Sequence, residues 1–145
     1  MAIKKTFHEI FTEVGNATKK ADKIRILHEN SSKELKAVLG YTYDPNVEWL
    51  LPEGDPSYKP LEKSLDQEYG LAQESRKFYL FVKGITPAQR NLTQAKRESL
   101  YIGMLESIDP DDAKLLIGMK DGKLPYKGIT RKLVAETFPT IATNW

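Results

Sequence analysis

Apolar residues recur at three- and four-residue steps through most of this 145-residue chain, and nowhere do they alternate with polar residues over a strand's length. A helix repeats every 3.6 residues and a strand every two, so the pattern admits amphipathic helices and leaves no confident strand. The clearest case is the start, where Ile3, Phe7, Ile10, Phe11 and Val14 share one helical face that Gly15 closes. A second helix is expected to about Glu29, capped by Asn16 or Thr18, with Ala21, Ile24 and Leu27 inward and Lys19, Lys20 and Lys23 outward. Ser31 and Glu34 have capping-box spacing, each side chain satisfying a free backbone amide at the helix start, and a third helix bearing Leu35, Val38 and Leu39 follows.

Residues 40–62 interrupt this regularity. Gly40, Pro45, Pro52, Gly54, Pro56 and Pro60 are spaced so that neither a helix nor a central strand persists, while Tyr41, Tyr43, Trp49 and Tyr58 predict a loop held against the core. Helical spacing resumes over about 64–83 (Leu71, Phe78, Leu80, Phe81, Val82), with Gly84 as a stop, and over about 89–107 (Leu92, Ala95, Leu100, Ile102, Met104, Leu105). Asp109-Pro110-Asp111-Asp112 supplies a cap, a proline at the first helical position and acids at the positive end of the dipole, so a helix runs from there to about Lys120. Gly122, Pro125 and Gly128 mark a loop, after which Thr130 caps a short last helix with Leu133, Val134 and Phe138 inward. The expectation is all-α: a compact single-domain bundle of about six or seven helices over residues 1–145, with a long Pro-rich loop after the third.

A chain of this length buries a core without staples, and 40% hydrophobic with 29% charged residues is ordinary for a globular protein. The absence of cysteine excludes disulfides and thiolate metal sites and suits a reducing compartment. No apolar run approaches the roughly 20 residues that span a bilayer, and no signal-peptide core follows the basic start Met1 to Lys5. These points predict a cytoplasmic protein with no membrane partner.

Catalytic signatures are missing. Phosphate-binding, dinucleotide-binding and nucleophile-elbow glycine motifs do not occur, and the two histidines, His8 and His28, stand at no metal-ligand spacing. Asp109, Asp111 and Asp112 are explained by capping and lack calcium-loop spacing. Lys120-Asp121-Gly122 lacks the residue that separates lysine from aspartate in nucleotidyl-acceptor motifs and reads as a helix end. No cofactor, no metal and no enzyme activity are expected.

Net charge is only +2, but its distribution is uneven. Residues 1–36 hold eight bases against five acids, residues 37–70 two against seven, and residues 119–132 five bases against Asp121 alone. Such a local excess suits a polyanion. At the start of the last helix, free backbone amides beside Thr130, Lys127, Arg131 and Lys132 have the character of a phosphate site, as does a solvated lysine-rich surface.

Several stretches resemble the all-helical N-terminal DNA-binding domain of ATP-dependent DNA ligases, especially the short version in tailed-phage enzymes. Phe7 to Ile10, Ala21 to Leu27 and Glu34 to Leu39 are similar to its first helices, and Tyr43 to Val47 to the extended turn that follows. The more specific similarity is Leu115-Leu116-Ile117-Gly118-Met119-Lys120-Asp121, then a glycine-containing loop, then Gly128 to Pro139 closing on an aromatic and a proline. The loop departs from that pattern by carrying Lys123-Leu124-Pro125-Tyr126 where the family's is often shorter. The resemblance implies that Lys120, Lys123, Lys127, Gly128, Thr130, Arg131 and Lys132 approach a DNA backbone, and the basic face of the second helix adds Lys19, Lys20 and Lys23. With no nucleotidyltransferase core after Trp145, it implies a non-catalytic binder of duplex or nicked DNA. That protein would be accessory to replication or repair, in the host cytoplasm if phage-encoded, with a replication or repair protein as a further partner. The competing expectation is a protein-interaction module anchored by Trp49 and Tyr58 or by the tail Ile141 to Trp145.

Overall fold

The computed structural model describes residues 5–61 and 71–145. Helix α1 (Phe7–Asn16) begins at a Thr6 cap, where Thr6 Oγ1 accepts from the Glu9 amide at 3.1 Å and the Glu9 carboxylate reaches back to the Thr6 amide. Phe7, Ile10, Phe11 and Val14 are all buried, so the expected face is the observed one; Ile3 lies outside the described residues. Gly15 does not end α1, which continues to Asn16.

Helix α2 (Lys20–Glu29) starts at Lys19, and neither Asn16 nor Thr18 caps it; its first turn has no side-chain cap. Leu27 is its one buried residue, Ile24 packs at the core's edge, and Ala21 is exposed. Helix α3 (Lys33–Tyr43) is capped by Ser32, not Ser31, with Ser32 Oγ accepting from Leu35 N at 3.0 Å. It runs through Gly40 because Leu39, Thr42 and Tyr43 are buried one turn apart, which outweighs the small helix-interior cost of glycine.

Residues 44–61 then cross the surface without a helix. They are tied down by an isolated antiparallel bridge between Trp49 and Val82, with Leu50 N to Phe81 O at 2.8 Å and Lys83 N to Glu48 O at 2.9 Å. Trp49 stacks on Phe81 and donates from Nε1 to Tyr41 O at 2.9 Å.

Of the helix expected at 64–83, residues 64–70 lie outside the described residues. The rest is a single turn, α4 (Leu71–Glu74), followed by a 3₁₀ segment, Ser75–Phe81. Three residues per turn places Phe78 and Phe81 on the same side, and both are buried. Val82 is extended, so the helical run stops before Gly84.

The helix expected at 89–107 is two: α5 (Pro87–Asn91), with a Thr86–Gln89 capping box, and α6 (Gln94–Ser107), capped by Thr93. Arg97 holds the break. Arg97 as a residue is only 6% exposed, and its guanidinium donates to the carbonyls of Leu80, Gln89 and Leu92 and to Gln94 Oε1, satisfying acceptors that the interruption frees. Tyr101, Met104 and Leu105 are buried, whereas Ala95 and Leu100 are exposed, contrary to expectation.

Helix α7 (Pro110–Lys120) has the predicted Asp109 cap, 2.8 Å from Asp111 N, and buries Ala113 and every residue from Leu115 to Lys120. It is the central element, packed against α1, α3, α4 and α6. Helix α8 (Arg131–Thr137) has the predicted Thr130 cap, and a 3₁₀ turn at Pro139–Ile141 follows. The protein is thus all-α, with eight α-helices among the described residues around one continuous core from Phe7 to Phe138. No helix among the described residues is long and apolar enough to cross a membrane.

Candidate nucleic-acid interface

Helix α8 packs beside α2, and this contact decides which predicted bases meet. The loop between α7 and α8 returns past the end of α1 so closely that a Cβ on Gly15 would lie 3.0 Å from Lys127 O. It then turns at Gly128, whose φ of +82° favours glycine. A Cβ there would sit 2.4 Å from Lys23 Nζ, and that ammonium is 3.5 Å from Gly128 O. Gly128 therefore does two things: it makes the turn, and it leaves room for the Lys23 head.

Between the two helix starts lies an open concavity of about 290 Å³. Thr18, Lys20 and Lys23 form its α2 wall; Gly128, Thr130, Lys132 and Leu133 form the other. Five predicted residues from opposite ends of the chain, Lys20, Lys23, Gly128, Thr130 and Lys132, thus line one cup. Lys19, Lys127 and Arg131, each next to a lining residue in the chain, are exposed. Arg131 is aimed by Nε donating to Tyr43 O at 2.8 Å, which leaves its two terminal nitrogens without a partner among the described residues.

The local electrostatics are unusual. Lysines at Lys19, Lys20 and Lys23 crowd the positive end of α2, where an acid or a capping side chain is normally favoured. Asp22 is the acid of that first turn, and its carboxylate lies 3.8 Å from Arg25. Lys20 pairs with Glu136 of α8; Lys19, Lys23, Lys127 and Lys132 make no ion pair among the described residues. The α8 amides offer less than the sequence suggested. Thr130 Oγ1 already accepts from Leu133 N at 3.1 Å, and seven residues make a weak dipole, so side-chain charge dominates this wall.

Two predicted residues lie elsewhere. Lys120 is buried, its side chain only 2% exposed, and its three donors go to Pro52 O, Gly54 O and Asp121 Oδ1 at 2.8, 2.8 and 2.6 Å. An ammonium has three donors, so none remains for a phosphate, and Lys120 is corrected from DNA contact to pin of the Pro-rich loop. Lys123 is exposed but lines a separate hollow of about 410 Å³ with Asp55, Tyr58, Lys114 and Asp121, a face with its own acids.

The sequence missed Thr18, read as a cap, and Glu136, which no motif marks and only the α2–α8 contact reveals. The histidines are engaged: His8 Nδ1 is 2.8 Å from the Tyr126 hydroxyl, and His28 meets Phe138 edge-on. Burial first, then nearby Asp111, Asp112 and Asp109, push the Tyr126 phenol up. Burial raises the Asp112 carboxyl, opposed by the hydrogen bond it accepts from Leu71 N. Trp49, Tyr58, Ile141 and Trp145, the anchors of the competing interaction reading, pack against the core.

A family model described as a family of unknown function, DUF6433, matches residues 10–126, and the chain belongs to that family. The match takes in the α2 wall of the cup and stops before Lys127. No curated protein and no solved structure matches the chain. Nothing in these comparisons links it to the DNA-binding domains of ligases.

Proposed function

We propose that this DUF6433 family member is a non-catalytic nucleic-acid-binding protein that grips the phosphate backbone of duplex DNA without strong sequence preference, as an accessory to replication or repair. The observation that carries the reading is the meeting of Lys20, Lys23 and Lys132 in one open cup, with Lys19, Lys127 and Arg131 exposed next to its lining residues in the chain. Lys19 and Lys23, which make no ion pair among the described residues, stand at the positive end of a helix, where cations cost stability, and a local rule broken in this way is expected at a site that serves a ligand. Backbone contacts hold a duplex without reading its bases, and no side chain in the cup offers the planar amide pairing that reads an adenine edge. The similarity of Gly128 to Pro139 to ligase DNA-binding domains agrees with this reading.

The test is fluorescence anisotropy with short duplexes of unrelated sequence over a series of KCl concentrations. Affinity is expected to be the same for all sequences and to fall steeply with salt, with a log-log slope of roughly 0.9 per phosphate engaged. Binding that is absent at low salt, or that ignores salt, would reject the function.

A further inference from the structure

The shape of the basic surface says more than its charge. A continuous backbone presents one singly charged phosphate per roughly 3.4 Å of axis on each strand and is best met by cations strung along a line. Here three lysines from two helices line one hollow of about 290 Å³, together with Thr18 and Thr130. Glu136 answers one of the three by pairing with Lys20. The three lysines and Glu136 therefore sum to a net charge of about +2 gathered around one hollow, with two hydroxyl-bearing residues in its lining.

A phosphate monoester carries about −1.5 to −2 charges at neutral pH and three terminal oxygens, whereas a diester carries one charge and two such oxygens. We propose that the cup between α2 and α8 takes a phosphate monoester, the chemistry of a phosphorylated strand end or of a free mononucleotide, while Lys19, Lys127 and Arg131 hold neighbouring diesters. This deepens the backbone-binding reading and rests on it for the diesters. Glu136 occupies Lys20 as an internal anion until the phosphate arrives. Lys23, held beside Gly128 O by the missing Cβ of that glycine, keeps its head in the cup instead of extending into solvent.

The experiment compares a blunt duplex carrying 5′-phosphates with the same duplex ending in 5′-hydroxyls, using adenosine monophosphate as competitor. The phosphorylated duplex is expected to bind at least tenfold more tightly, and Lys20→Gln/Lys23→Gln/Lys132→Gln, checked for fold by circular dichroism, is expected to bind both equally. Glu136→Gln releases Lys20 with little perturbation of α8 and is expected to widen the preference several-fold. Adenosine monophosphate competing as well as the phosphorylated duplex identifies a free nucleotide as the source. Competition only at far higher concentration identifies the strand end, and both outcomes uphold the monoester. Equal, salt-sensitive affinity for the two duplexes overturns the monoester and leaves the backbone reading standing. Binding of adenosine monophosphate with no duplex binding keeps the monoester and removes the backbone reading. Binding of none of the three removes both.

Discussion

Lys120 and Lys132 belong to the same basic stretch, twelve positions apart, yet the fold uses them in opposite ways. Lys120 sits at the end of the central helix under the Pro-rich loop, shielded from water and saturated by two carbonyls and a carboxylate. Lys132 stands at the start of α8 over an open cup and makes no ion pair among the described residues. A lysine's availability is thus set by how many acceptors its surroundings supply, which the number of bases nearby in sequence does not report.

The contrast is sharpest under substitution of Lys120. Lys120→Met is expected to destabilise the protein by about 2–3 kcal/mol, since hydrogen bonds from a buried charge are lost and Asp121 loses its ion-pair partner, keeping only the Gly54 amide. Urea unfolding measures this, and the surviving folded fraction should keep its salt-dependent DNA binding. Gly128→Ala tests the other side. A non-glycine residue at φ of +82° costs about 1–2 kcal/mol, and its Cβ displaces the Lys23 ammonium, so stability and affinity should both fall.

Arg131→Gln removes the hydrogen bond to Tyr43 O and is expected to cost about 1 kcal/mol of stability and to lower the salt slope by about 0.9, one phosphate. Both quantities come from parallel denaturation and binding titrations. The smallest effect belongs to Lys123→Gln, which faces a separate hollow already furnished with Asp55 and Asp121; DNA affinity measured by anisotropy should not change. A large loss there would erase the distinction between the two faces.

Much of the helical framework was legible because it rests on local rules. The Phe7 to Val14 face, the Asp109-Pro110 start and the Thr130 cap need only near neighbours in sequence, and the structure has all three. Local reasoning failed where a distant partner decided. Gly40 stays helical because Leu39, Thr42 and Tyr43 are buried, and the break at Leu92–Thr93 is held by Arg97, whose guanidinium reaches back to Leu80. The site divides in the same way. The basic residues of α2 and of the α8 start were visible as two separate runs, but their meeting depends on packing between helices more than a hundred residues apart. The loss of Lys120 to the Pro-rich loop depends on contacts nearly 70 positions away, with Pro52 and Gly54, which no window of sequence contains.

The most direct test is the salt dependence of duplex binding by the wild-type protein beside Lys20→Gln/Lys23→Gln/Lys132→Gln, with urea unfolding to show that stability is kept. On a duplex carrying 5′-phosphates, removing the ammonium groups of the cup should lower the log-log slope by about 0.9, for the one phosphate it holds. An unchanged slope in a folded triple variant would contradict the claim that the cup between α2 and α8 meets phosphate.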